Sequence, residues 1–310
     1  MKIAFLFHRD KEFNGETVRN EPCGGTEKAV VYLSEALERR GHQCEIEWKA
    51  GCLSFEPDVV IAQEAILFQG IEGERFPGAS HIWWTHHFAD QSVTIQNAPY
   101  ARAFCDDYVC LSEVQRQDLY ERFKIDCKPI RYGVNPDEAV KSVKIKGRLI
   151  YASTPFRGLA RIVDLWPRLK ARVPYATIDI CSGMGIYGQE ANDASYRELY
   201  DELRALDGVY VHGPLNQEEL FAKFAEAQAL LYPCDWAETY CLTLDEALMH
   251  GCYPITTGFA ALGERAHGFD FDKDMWINAV EDLSNVKNPP GILKQPISWD
   301  EVAEQWEAIF

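Results

Sequence analysis

Short apolar runs alternate with amphipathic stretches of helix length from one end of this 310-residue chain to the other. Few folds accept that pattern. A strand that is apolar throughout must be buried on both faces, and a helix with one apolar stripe must lie against a sheet. The pattern therefore predicts βαβ units, with parallel sheets covered on both sides by helices. In the first half the predicted strands fall near Ile3–Phe7, Gln43–Trp48, Asp58–Ala62, Ser80–Trp84, Tyr108–Leu111 and Pro129–Tyr132. In the second half they fall near Leu149–Ala152, Thr177–Cys181, Val209–His212, Ala229–Tyr232 and Tyr253–Thr256. Helical segments lie between them, such as Thr26–Arg39, where Ala29, Val30, Leu33 and Leu37 share one stripe.

Two such sets in one chain predict two doubly wound parallel-sheet domains facing each other, with ligands at the carboxyl ends of the strands in the cleft between them. The break is expected between Gly133 and Gly147, where Gly-Val-Asn-Pro-Asp interrupts the pattern and the hydrophilic stretch Lys141–Lys146 follows. The expected domains are residues 1–140 and 141–298, and an amphipathic helix over residues 299–310 closes the chain.

Charge and cysteine usage exclude several classes of function. A net charge of -17 opposes any binding mode built on neutralising many phosphates, whether duplex nucleic acid or an anionic membrane. The cationic run Arg116, Arg122, Lys124, Lys128 and Arg131 is interleaved with Asp118, Glu121 and Asp126, as on a solvated face. The ten cysteines are scattered singly with no C-x-x-C pair, which fits buried thiols in a reducing cytoplasm rather than a disulfide framework. Five apolar residues before His8 are too few for a signal-peptide core or a membrane span, so a cytoplasmic protein with no transmembrane segment is expected.

Tyr232–Gly251 is the most informative stretch, reading as a strand, a loop and a helix closed by Gly251. Glu238 is expected at the helix entry with Glu246 eight positions on, roughly 12 Å away at about 1.5 Å per residue. That exceeds the roughly 5–9.5 Å between the carboxylates of a glycosidase. It matches one extended ligand with hydroxyls at both ends, as in a nucleotide sugar. Glu238 would accept from the sugar and Glu246 from the ribose, with Thr239, Tyr240 and Cys241 between them and the N–H groups of Tyr240 to Leu242 aimed at the diphosphate. Spacing alone leaves a second reading open, in which Glu238 merely answers the helix dipole and Glu246 is an ordinary helix residue.

This stretch resembles the E-x7-E motif of the retaining glycosyltransferase family 4, in the variant E-T-[FY]-C. The resemblance runs along nearly the whole chain. Pro22–Lys28, with Leu33 through His42, resembles the family's first glycine loop and helix. Ile82–His86 resembles its strand ending in histidine, Leu111–Gln115 its second-helix start, and Ser153–Leu159 the opening of its donor domain. It implies a GT-B fold, with two Rossmann-like domains, and a retaining, metal-independent sugar transfer from a nucleotide diphosphate donor without a further cofactor. It also implies Gly24 and Gly25 as a loop permitting close approach of a phosphate or acceptor, and His86, or its neighbour His87, as the residue orienting donor or acceptor. Arg157 would hold the departing diphosphate. The family's arginine five positions earlier is replaced by Ala152, so one diphosphate cation is missing or comes from elsewhere. Base, sugar and acceptor stay open, acceptor choice falling to loops such as Arg9–Cys23.

Rival readings are a non-catalytic nucleotide-sugar-binding protein and an NAD-dependent oxidoreductase. The latter rests on Gly183, Gly185 and Gly188, a formal G-x-G-x-x-G, but the helix is expected only near Asn192 and no acidic residue ends a following strand about twenty positions on. Asp270 and Asp272 form a D-x-D in a late acidic loop, where a metal clamp does not belong, and cysteine and histidine offer no metal-ligand spacing.

Overall fold

The structure is a computed structural model that describes residues 1–7, 13–47, 50–70, 76, 78–187, 189–283 and 292–310. The chain divides into two compact units. The first comprises Met1–Gly15, Thr26–Gly133 and Ile297–Phe310, and the second Glu16–Gly25 with Val134–Pro296.

In the first unit the elements run β1 (Lys2–Leu6), α1 (Gly15–Asn20), α2 (Gly25–Arg39), β2 (Gln43–Glu47), β3 (Val59–Ala62), β4 (Ser80–Trp84), α3 (Ser92–Phe104), β5 (Asp107–Cys110), α4 (Glu113–Phe123) and β6 (Lys128–Pro129); nearly all of α1 counts with the second unit. The six strands form a parallel sheet of order β2-β1-β3-β4-β5-β6. β1 lies between β2 and β3, and Ile3 through Leu6 are fully buried, as an apolar run in a parallel sheet requires.

The sixth strand is shorter than the run Pro129–Tyr132, although the Ile130 N–H still donates to the Cys110 carbonyl at 2.9 Å; Pro129, which offers no ladder donor, is tolerated because β6 is the edge strand. Tyr132 instead packs its ring 6.1 Å from Trp84. Trp48, assigned to β2 by the sequence pattern, lies outside the described residues, as do residues 9–12 of the Arg9–Cys23 loop.

The second unit runs β7 (Arg148–Ala152), α5 (Leu159–Arg172), β8 (Thr177–Cys181), α6 (Arg197–Ala205), β9 (Val209–Val211), α7 (Gln217–Glu226), β10 (Ala229–Tyr232), α8 (Leu242–Met249), β11 (Tyr253–Thr256) and α9 (Met275–Asp282). Its sheet is again all parallel, in the order β11-β10-β7-β8-β9. From β7 the chain steps outward through β8 and β9, then returns to lay β10 on the other side of β7. The β7/β10 boundary is therefore a topological switch point, where loops leave in opposite directions and open a crevice at the strands' carboxyl ends. α5 covers the sheet with Ile162, Leu165, Trp166 and Leu169, all buried.

The last helix, α10 (Trp299–Glu307), counts with the first unit. A reciprocal cap between Ser298 and Glu301 starts it, and Trp306 packs edge-on 5.0 Å from Trp84. Gly133 admits this helix because a Cβ there would lie 2.8 Å from the Trp299 nitrogen. Among the described residues no helix is long and apolar enough to cross a membrane.

Candidate active site

Arg157 and Glu238 come together at the switch point of the second unit. Arg157 sits in the loop leaving β7, Glu238 in the loop leaving β10, and the arginine Nε lies 3.0 Å from Oε1 of the glutamate. The two loops meet through Gly158, which starts α5 at φ +82; a Cβ there would lie 2.3 Å from the Pro233 carbonyl oxygen, so only glycine allows the approach. Tyr151, at the end of β7, places its hydroxyl 2.8 Å from the Thr154 carbonyl and 3.0 Å from that of Arg157, which shapes the loop. The guanidinium donates from Nη1 to the Thr154 hydroxyl at 3.1 Å and lies over the Phe156 ring at 5.0 Å. Phe156 in turn meets Trp236 edge to face at 5.3 Å.

A second contact reaches the same glutamate oxygen. The Tyr232 hydroxyl donates to Glu238 Oε1 at 2.6 Å and lies 3.2 Å from Ser153 Oγ. Burial, then the Glu238 charge, holds the Tyr232 hydroxyl well above the ordinary phenol range, so it stays a donor. Sequence reasoning missed Tyr232 and Ser153. The one available signal was a polar-tipped aromatic ending an otherwise aliphatic strand.

The α-helix that follows begins at Leu242, so Glu238 stands in the preceding loop and not at the helix entry. This corrects the expected spacing: the rise of about 1.5 Å per residue holds from Leu242 to Glu246 but not across the loop from Glu238 to Cys241. Cys241 is the cause. It has φ +83 in the left-handed region, a conformation L-residues resist, which turns the chain before the helix can start.

The loop is held by a buried triad. Tyr240 donates its hydroxyl to Asp245, Arg265 donates from Nη1 to Asp245 at 3.0 Å, and the guanidinium lies over the Tyr240 ring at 5.0 Å. Asp245 and Arg265 are both buried. The triad ties α8 to the turn after β11, whose Ala261 N–H donates to the Glu238 carbonyl at 3.2 Å. Tyr240 was singled out in the sequence for its amide; its hydroxyl's partner Asp245, five residues on, and Arg265, a further twenty residues on, were not foreseen.

Glu246 is buried on α8, with its backbone carbonyl accepting from His250 Nδ1 at 2.7 Å. Since Nδ1 donates there, the neutral His250 ring accepts at Nε2 from the Val140 N–H, at 3.2 Å. Thr239 occupies the loop beside Glu238. Gly24 and Gly25 count with the second unit through the Glu16–Gly25 segment, and a Cβ on Gly25 would lie 3.7 Å from the Leu242 Cβ at the start of α8.

His86 belongs to the first unit, after β4. Its ring is buried among Trp84 at 4.8 Å, Phe7 at 6.0 Å and Tyr132 at 6.0 Å, and burial holds it far below the usual histidine range. His87 is half-buried, with Nδ1 2.8 Å from Gln91 Oε1; its range too is lowered by burial.

Burial pushes the Cys234 thiol up to about 12 and the Cys241 thiol well above its usual range, so neither cysteine beside Glu238 presents a thiolate. In the D-x-D segment, Asp270 pairs with Lys273 at 3.0 Å and accepts from the Asp272 N–H at 3.0 Å. Gly188 of the glycine-rich stretch lies outside the described residues; the α-helix beyond it begins at Arg197.

No protein-family model matches this chain, and no curated protein matches it. Its fold has solved counterparts. The Anabaena protein HepE in complex with UDP and glucose aligns over 100% of this chain and 99% of its own, with a TM-score of 0.72 at 14% identity. Sucrose-phosphate synthase from Thermosynechococcus elongatus aligns over 100% and 98%, with a TM-score of 0.70 at 14% identity. The catalytic domain of starch synthase IV from Arabidopsis thaliana, bound to ADP and acarbose, aligns over 99% and 98%, with a TM-score of 0.63 at 12% identity. The fold of this chain, two parallel-sheet α/β units, is the GT-B fold of such glycosyltransferases.

Proposed function

We propose that this chain is a retaining, metal-independent glycosyltransferase that takes a sugar from a nucleotide diphosphate donor held by the second unit. The observation that carries this reading is the pairing of Arg157 with Glu238 at the β7/β10 switch point, where the fold opens its ligand crevice. Solved proteins of the same fold are described with UDP and glucose or with ADP, which supports a nucleotide-sugar donor and leaves the base open.

In this reading Glu238 accepts from the sugar hydroxyls, Glu246 from the ribose, and the backbone N–H groups from Tyr240 to Leu242 receive the diphosphate. Arg157 stabilises the negative charge that grows on the phosphate as the glycosidic bond breaks. The departing phosphate takes the acceptor's proton on the face it leaves, so the protein's part is positional and electrostatic. Thiols held as thiols at Cys234 and Cys241 accord with a reaction that uses no cysteine nucleophile. Arg157 stands for one of the two cations of the related motif; Ala152 offers none, so the other is missing or comes from elsewhere in the chain. The acceptor is left unassigned among glycans, lipid-linked sugars, proteins and small molecules.

Of the adjacent histidines, the geometry favours His87 for the ligand and His86 for packing, since His86 lies within an aromatic box. A thermal-shift series with UDP, ADP, GDP and their sugar derivatives tests the donor reading. One diphosphate at about a hundred times its Kd adds about 2.7 kcal/mol of stability. No shift with any of them refutes it.

A further inference from the structure

Both protein contacts to the Glu238 carboxylate fall on one oxygen. Arg157 Nε approaches Oε1 to 3.0 Å as its ion-pair partner and the Tyr232 hydroxyl donates to Oε1 at 2.6 Å, and among the described residues no hydrogen bond reaches Oε2. A carboxylate turns easily about its last torsion, which has broad minima, so two anchors on Oε1 decide where Oε2 points. The anchors come from opposite sides of the switch point: Arg157 from the loop after β7 and Tyr232 from the end of β10. Since the Tyr232 O–H is given to Glu238, the phenol oxygen is left to accept from Ser153 Oγ at 3.2 Å, which aligns and strengthens the bond it donates.

We infer that Tyr232, backed by Ser153, is a positioning residue that fixes the Glu238 carboxylate so that Oε2 alone faces the donor's sugar hydroxyls. The inference deepens the transferase reading and rests on it. Tyr232 touches no ligand. A nucleotide diphosphate without a sugar gives Glu238 nothing to hold, so its binding does not depend on the phenol. Turnover of the complete donor does.

The test compares wild type with Tyr232→Phe, Ser153→Ala, Glu238→Gln and Tyr232→Phe/Glu238→Gln. Release of free diphosphate from UDP-glucose, ADP-glucose and GDP-mannose is measured beside thermal shifts with UDP, ADP and GDP. Tyr232→Phe keeps the diphosphate shift and loses turnover by about tenfold or more, as loss of a hydrogen bond to a charged group would. Ser153→Ala loses less. The double variant is no slower than Glu238→Gln, because the phenol acts only through that carboxylate. Wild-type turnover in Tyr232→Phe overturns the inference, and so does a double variant that loses the two effects additively. A parallel loss of the diphosphate shift would mark the phenol as a general support of the fold and overturns it too. Wild-type turnover in Glu238→Gln, or no release by wild type from UDP-glucose, ADP-glucose or GDP-mannose, strikes the transferase reading itself and removes the inference with it.

Discussion

Arg157 Nε lies 3.0 Å from Oε1 of Glu238, so the cation assigned to the leaving phosphate is held against the carboxylate assigned to the sugar. The pair joins the loops after β7 and β10. Neither side chain is set by its own segment alone, and each positions the other.

Arg157→Lys keeps the positive charge yet loses the fork that reaches Glu238 and Thr154 at once, and the flat face that lies on Phe156. Turnover is expected to fall by about tenfold or more, with the folded state retained. Steady-state kinetics beside a denaturation curve checks this. Full activity in the lysine variant would show that charge alone suffices.

Glu246→Gln is expected to weaken binding of the bare diphosphate, since a charged acceptor to ribose hydroxyls contributes about 1.5–3 kcal/mol. Glu238→Gln is expected to leave that binding nearly unchanged while lowering turnover of the complete donor. Titration calorimetry with the diphosphate separates the two. The opposite result would reverse the donor's direction along the loop and α8.

Asp245→Asn leaves the Arg265 guanidinium buried without its counter-charge, and Arg265→Met does the same to the carboxylate. Either change is expected to cost about 3–5 kcal/mol in urea denaturation. Tyr240→Phe, which removes one donor to Asp245, costs about 1–3 kcal/mol. Replacement of the Asp245–Arg265 pair together is expected to cost less than the sum of the single changes.

Burial holds His86 far below the usual histidine range, and His81, His87 and His250 below it. In the unfolded chain each titrates near about pH 6.5. Below that value the unfolded state takes up protons that the folded rings refuse. Stability is therefore full above about pH 6.5 and falls as the pH drops toward the folded values. Urea midpoints measured across this window should decline in wild type and decline less in His86→Asn, whose overall stability is lower. An equal slope in both would remove His86 as a source.

The strands of both sheets were legible in outline, though not their order, because fully apolar runs such as Ile3–Leu6 and Ala229–Tyr232 announce buried parallel strands and glycines mark the turns between them. Glu238 and Arg157 were legible through motif resemblance. Their contact was not, since it depends on β10 returning beside β7, a long-range choice that no local pattern records. The start of α8 at Leu242 was misplaced for a local reason: Cys241 takes a left-handed conformation that its residue type does not advertise. Tyr232 and the Asp245–Arg265 pair were invisible because buried polar partners are defined by packing, and the partners lie in separate elements of the chain.

Release of free diphosphate from UDP-glucose, ADP-glucose and GDP-mannose, with water as the fallback acceptor and EDTA throughout, bears most directly on the central claim. One of these donors should be hydrolysed slowly by wild type. The rate should fall by about a hundredfold in Arg157→Ala, the scale of losing one group that stabilises charge in the transition state. Adding manganese should restore nothing. No release from any donor, together with no thermal shift by any diphosphate, would contradict the account; release that requires manganese would contradict its metal-free chemistry and turn attention to Asp270 and Asp272.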